Sequence, residues 1–187
     1  EFVLRENFVL RGDNFFYNAL FTDPAVFGKY PENLAEAFGA NFTYDPADMQ
    51  IIKCDPDFIG LNIYHGKYVV PDGKGGIRDV TPEMNTPYTD MRWTVSPESL
   101  YYGPKAFSER YRLPIIITEN GVAVTEWLSE DGKLHDPSRI EYIRRYLSQL
   151  KRAAEEGADI EGYFYWSLLD NFEWKEGFSK RFGLVYV

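Results

Sequence analysis

The chain has 187 residues, 44% of them hydrophobic and 26% charged, with a net charge of −9 at neutral pH. That length can bury a sizeable core, and the acidic balance argues against nucleic acid or an anionic membrane surface as a partner. No apolar run approaches the roughly 18 residues that span a bilayer, and the single cysteine, Cys54, excludes an intrachain disulfide and calls for no oxidising compartment, so the expected setting is cytoplasmic.

Residues 1 to about 20 mix apolar and charged positions at helical spacing. Asp23-Pro24 and Tyr30-Pro31-Glu32 read as turns, and Pro31 is placed to open a helix through Leu34 and Phe38 that Gly39 closes. Asp45 to Ile52 reads as a short helix. The compact apolar run Asp57-Phe58-Ile59-Gly60-Leu61-Asn62-Ile63-Tyr64 predicts a strand over 57–64. Residues 71–92, rich in Pro, Gly, Asp and Thr, predict a long loop. Ser96 at N-cap and Pro97 at N1 then open a helix through Leu100, Phe107 and Tyr111, which Arg112-Leu113-Pro114 ends.

The β-branched run Ile115-Ile116-Ile117-Thr118 predicts a buried strand over 115–119. Asp136-Pro137 opens the clearest helix, where Ile140, Ile143, Tyr146, Leu147, Leu150 and Ala154 recur at three and four and Gly157 brings the stop. A third strand covers 162–169. Short apolar strands alternating with amphipathic helices predict an α/β fold. Its strands should lie parallel in the order 57–64, 115–119, 162–169, joined by right-handed helical crossovers. A closed (β/α)8 barrel needs eight strands and typically about 250 residues, so the chain carries less than half of one.

The chemistry-bearing residues sit at strand ends. Glu119 precedes Asn120-Gly121. A carboxylate is costly in mid-core, so Glu119 belongs where its strand emerges, the end at which catalytic side chains collect in parallel barrels. Taken alone, the same stretch also reads as an ordinary acid before an Asn-Gly turn. Glu173 stands between Phe172 and Trp174, an apolar setting that gives a carboxylate there a reason to be functional. Aromatics reach 17%, which suits either a large aromatic core or a site where rings stack on the flat faces of sugars. Other motifs are poor. His65, His135 and Cys54 make no metal spacing, Asp72-Gly73-Lys74-Gly75-Gly76 lacks the frame of a phosphate loop, and no Gly-x-Ser-x-Gly is present.

Together, Ile115-Ile116-Ile117-Thr118-Glu119-Asn120-Gly121 and Gly162-Tyr163-Phe164-Tyr165-Trp166-Ser167-Leu168-Leu169-Asp170-Asn171-Phe172-Glu173-Trp174 resemble the seventh and eighth strands of a retaining β-glycosidase of glycoside hydrolase family 1. The resemblance implies a single partial catalytic domain over 1–187, about strands 6–8 of a (β/α)8 TIM barrel, truncated at both ends. It implies that Glu119 is the nucleophile and that Tyr64 donates a hydrogen bond holding it ionised. Asn62 matches a polar position nearby. Trp166 becomes the platform beneath the sugar, Glu173 the acceptor from its outer hydroxyls and Trp174 a donor to one of them. Phe182 matches a wall position. Trp93 matches the aglycone entrance, in a segment where Arg92 replaces a common glycine.

The implied activity is hydrolysis of β-glucosides or β-galactosides by double displacement, with no metal or cofactor. Glu173, acidic where a phospho-glycosidase branch carries serine, implies an unphosphorylated sugar. The retaining route needs a second carboxyl group about 5–5.5 Å from the nucleophile. The family's Asn-Glu-Pro, which carries it, is absent, and nothing in the sequence places Glu126 or Glu130 at that distance. The expected partner is therefore the missing N-terminal half-barrel, or a second copy through self-association. The alternatives are an inactive barrel fragment or a sugar-binding module built on Trp166 and Trp174.

Overall fold

The computed structural model describes residues 18–32, 43–73 and 77–187. The helical spacing in residues 1–17, the helix through Leu34 and Phe38, and the Lys74-Gly75-Gly76 part of the glycine-rich turn lie outside the described residues. The chain divides into two compact units, residues 1–57 with 69–80, and residues 58–68 with 81–187.

In the first unit, helix α1 (Leu20–Phe27) runs straight through Pro24. The turn expected at Asp23-Pro24 is therefore not there. Proline's fixed φ is compatible with a helix, so near the start it costs a ladder bond without ending the helix. The stop comes at Gly28, whose φ of 67° supplies a left-handed C-cap while its N–H donates to the Pro24 carbonyl at 2.9 Å. Helix α2 (Asp48–Ile52) follows, and the Cys54 N–H just beyond it donates to the Ala25 carbonyl at 2.8 Å. The long loop predicted from residue 71 is also corrected. Strands β2 (Val69–Pro71) and β3 (Ile77–Asp79) pair antiparallel, with the glycine-rich stretch between them.

The second unit holds a three-stranded parallel sheet in the order β1 (Ile59–Asn62), β4 (Ile115–Asn120), β5 (Ile160–Tyr165). Helix α3 (Ser99–Tyr111) connects β1 to β4 and helix α4 (Pro137–Glu155) connects β4 to β5. Strand order and direction are those predicted. The boundaries are not: β1 is shorter than 57–64, and β5 starts and ends earlier than 162–169. At Trp166 the backbone leaves the sheet through a cis Trp166–Ser167 peptide, and Leu168 and Leu169 beyond it are 66% and 51% exposed. Ser96 does not cap α3. The helix starts at Ser99, and the Ser96 hydroxyl instead accepts the Gly66 N–H at 2.7 Å.

Among the described residues, the two faces of the sheet differ in burial. Ile59, Leu61, Ile115 and Ile117 are buried, whereas Gly60, Thr118 and Phe164 are exposed. The registers Gly60–Ile116–Gly162 and Leu61–Ile117–Tyr163 place these sets on opposite faces. The isoleucine run thus reads as buried on both sides because its outer face is apolar too, a property of parallel strands covered on both faces.

Helix α4 buries Arg139, Tyr142, Tyr146, Leu150 and Ala153, while Ile140 is 58% and Leu147 36% exposed. The buried stripe is rotated by about one residue from the aliphatic stripe seen in the sequence. Tyrosine and arginine take the inside because their polar ends find partners there.

Helices α3 and α4 are also clamped together, the first half of α3 against the end of α4. Lys105 Nζ and Arg152 Nε donate to Glu156 at 2.7 and 3.0 Å, and the Tyr101 hydroxyl joins them. Hydrogen bonds from Lys105, Tyr101 and Arg152 hold the Glu156 carboxyl down to about 2. A carboxyl held below its unfolded value stabilises above the ordinary carboxylate range and loses that contribution as the pH falls towards the folded value. Glu156→Gln should therefore lower the thermal midpoint at pH 7. The gap from the parent should close as the pH drops from about 4.3 towards 2, and added salt should shrink it. Calorimetry across that range checks this.

Candidate active site

The carboxyl ends of the three parallel strands bring the site residues together. A register irregularity between Leu61 and Asn62 sets Asn62 opposite Glu119. The Thr118 hydroxyl donates to Asn62 Oδ1 at 2.7 Å, and the Ile63 N–H donates to the Glu119 carbonyl at 2.9 Å. Tyr64 follows one residue later. Its hydroxyl donates to Glu119 Oε2 at 2.7 Å. Burial, and then the hydrogen bond and charge of Glu119, push the Tyr64 phenol far up, with a further contribution from the Glu173 carboxylate. The hydroxyl therefore stays protonated, and stays a donor, throughout the working pH range.

Aromatic rings stand beside this pair. Tyr64 lies 5.1 Å from Trp93 and 6.0 Å from Phe182, ring centre to ring centre, and Trp93 lies 6.3 Å from Phe182. His65 stacks on Trp93 at 5.4 Å. Phe182 is 2% exposed, which gives the wall a rigid back. Arg92, just before Trp93, has φ 62°, in the left-handed region that favours glycine.

Trp166 is anchored by its N–H to the Asn120 carbonyl at 2.9 Å. It passes so close to β4 that a Cβ on Gly121 would lie 1.8 Å from its carbonyl oxygen. Gly121 is thus required by a close backbone approach, and Asn120-Gly121 is a packed strand end and not an open turn. Glu173 is half-buried, while Trp174 lies on the short 3-10 turn Trp174–Glu176 with 82% of its surface exposed. Of the sequence-predicted residues, Glu119, Tyr64, Asn62, Trp93 and Phe182 are joined by direct contacts or pairing. Trp166 is tied to the same strand end, Glu173 is sensed electrostatically at Tyr64, and Trp174 points to solvent.

Sequence reasoning missed the residues that brace these. Asn120 is fully buried and hydrogen-bonded to Tyr142, Tyr163 and the Ile63 carbonyl. Arg139, 1% exposed, pairs with Glu126 and Asp136 and donates to the Arg181 carbonyl at 3.1 Å. Burial alone would pull its guanidinium down, but Tyr165, Glu126 and Asp136 more than offset that and keep it charged. Arg181 in turn reaches Asp170 at 2.5 Å, and Asp170 accepts the Gly183 N–H at 3.0 Å. The available signal was an arginine in the first turn of a helix, three residues after Asp136. Glu126 is engaged with Arg139, and Glu130 is exposed. Among the described residues, no group of three or more His, Cys, Asp or Glu is placed to hold a metal ion.

Arg139→Met keeps the stem and removes the charge, leaving two largely buried carboxylates without their partner. A loss of about 3–5 kcal/mol is expected, read by denaturant unfolding.

The comparisons with known proteins agree on one family. The model of glycosyl hydrolase family 1 matches residues 10–187. A 1,4-beta-D-glucan glucohydrolase of Thermotoga neapolitana is 45% identical over 172 residues, covering 90% of this chain and 40% of that protein. Beta-glucosidase A of Thermotoga maritima is 43% identical over 171 residues, covering 90% and 38%. The solved structure of the Thermotoga maritima beta-glucosidase in complex with noeuromycin superposes with a TM-score of 0.80 at 42% identity, covering 91% of this chain and 39% of that one. These neighbours are TIM barrels, and the chain spans about 40% of the length of the relatives it matches.

Proposed function

The chain belongs to glycosyl hydrolase family 1, and from that premise we propose that it is the C-terminal part, about strands 6–8, of a retaining β-glycosidase barrel whose nucleophile is Glu119. The observation that carries this reading is the hydrogen bond from Tyr64 to Glu119 Oε2 at the carboxyl end of a parallel sheet, beside an aromatic wall.

The chemistry follows from that arrangement. The Tyr64 donor favours the ionised carboxylate and occupies Oε2, so Oε1 is presented to the anomeric carbon of an unphosphorylated β-glucoside or β-galactoside. Attack forms the glycosyl–enzyme ester while a second carboxyl group protonates the departing aglycone oxygen. That group then takes a proton from water, which releases the sugar with its configuration retained. Trp166 supplies an apolar platform, Trp93 and Phe182 the walls, Asn62 a polar contact, and Glu173 accepts hydrogen bonds from outer sugar hydroxyls and repels a sugar phosphate. Trp174 reaches the sugar once the remaining barrel covers it.

The proton donor comes from the partner, an N-terminal half-barrel. The same partner covers the face carrying Gly60, Ile116 and Phe164 and pairs with the β1 and β5 edges, since open edges and apolar faces favour association. The isolated chain lacks that donor, a group worth roughly 10²–10⁴-fold in rate.

A 2-deoxy-2-fluoro-glucoside with a good leaving group tests the assignment in the complete barrel protein. Expected is a single fluoroglucosyl addition on the peptide bearing Glu119. Glu119→Ala should cut kcat by about 10⁴-fold or more, the scale of losing a nucleophile, and formate should restore part of it. Labelling of another carboxylate would refute the assignment.

A further inference from the structure

We propose that Tyr142 and Tyr146 of helix α4 are positioning residues for the nucleophile, acting through the backbone carbonyl of Tyr64. The proposal rests on Glu119 being the nucleophile.

Tyr64 lies two residues past the end of β1, so no sheet ladder holds it. Its carbonyl oxygen instead accepts the Tyr142 hydroxyl at 3.0 Å and the Tyr146 hydroxyl at 3.1 Å. Two donors use both lone pairs of that oxygen and fix the peptide in two directions. The side chain on the same residue then bonds Glu119 at 2.7 Å.

Each hydroxyl oxygen accepts a donor from behind. The Ser96 N–H donates to the Tyr146 oxygen at 2.8 Å, which leaves the Tyr146 proton for the Tyr64 carbonyl. Asn120 Nδ2 donates to the Tyr142 oxygen at 3.1 Å, so the Tyr142 proton is shared between the Tyr64 carbonyl and the neighbouring Tyr146 oxygen. The Asn120 amide can adopt only one orientation. Its Nδ2 also faces the Ile63 carbonyl at 2.8 Å, a pure acceptor, while Oδ1 receives the Tyr163 hydroxyl at 2.9 Å. Two relays, one starting at Tyr163 and one at the Ser96 amide, thus converge on one carbonyl.

The two rings are stacked at 3.8 Å and are 3% and 0% exposed, so neither can swing away. Burial raises both phenols, which keeps them donors across the working range. Packing alone would need two rings; it would not need two hydroxyls aimed at the same atom.

The test uses the complete enzyme and compares Tyr142→Phe, Tyr146→Phe and the pair, each in the parent and in a Tyr64→Phe background. The reading is the rate constant for covalent trapping by the fluoroglucoside, separated from its dissociation constant. Only molecules that become labelled contribute to that rate constant, so partial unfolding does not alter it. In the parent background the paired change should slow trapping by about 10- to 100-fold, the cost of about 1 Å of misplacement, with the dissociation constant nearly unchanged. In the Tyr64→Phe background the same change should move trapping by no more than about twofold, because its route to Glu119 is already gone. Equal losses in both backgrounds would mean the tyrosines act structurally, and no loss in either would mean they do not act; both results overturn the proposal. The parent is labelled first. A label away from Glu119 there sinks the nucleophile assignment itself, whereas a correctly labelled parent with unaffected variants sinks this inference alone.

Discussion

The hydrogen bond between the Tyr64 hydroxyl and Glu119 Oε2 is the contact on which the site depends. A carboxylate at the mouth of a sheet is drawn to water and to any nearby cation. It keeps one orientation only if its donor is itself immobile. Here the donor sits on a short segment past the last strand residue, and that segment is held from behind by buried tyrosines on α4. The backbone of the donor is thus tied to helix α4. The helix stays in place through the buried cluster of Tyr101, Ala153 and Ala158 and through the Glu156 clamp.

Arg139 plays the corresponding part for the loops. It stands at the start of α4, beneath the loop that follows β4, and takes Glu126 and Asp136 as counter-ions and the Arg181 carbonyl as acceptor. One buried guanidinium thereby ties the segment after Glu119 to the segment that carries Phe182. A neutral residue could fill the space, but it could not satisfy two carboxylates and a carbonyl at once. The close passage of the Trp166 carbonyl over Gly121 serves the same end, bringing the chain after β5 against the end of β4.

Much of this is legible in the residues alone. Three short β-branched or aromatic runs separated by helical patterns are enough for a parallel sheet, and strand order followed from chain order. The strand-end acid was legible because a charged residue after an isoleucine run has nowhere else to go. The errors share a cause. Asp23-Pro24 reads as a turn, Ser96 as a cap, and Ile140 and Leu147 as inward-facing, each by a local rule that the rest of the structure outweighs. Ser96 had a better partner in Gly66, and α4 turned its tyrosines inward because buried acceptors were waiting for their hydroxyls. The hairpin of β2 and β3 was hidden by its turn-rich composition.

By itself the sequence determined the chemical types available at the strand ends: an acid, a phenol, indoles and an amide, at spacings that resemble one hydrolase family. These are properties of residue identity and period, and they survive without knowledge of contacts. Only the tertiary structure decided which of them meet. The pairing of Tyr64 with Glu119 spans 55 residues of sequence, and that of Tyr142 with Tyr64 spans 78. Such pairs depend on where two elements cross, and no local pattern encodes a crossing point. Burial decided the rest, by selecting which polar atoms had to find each other once water was gone.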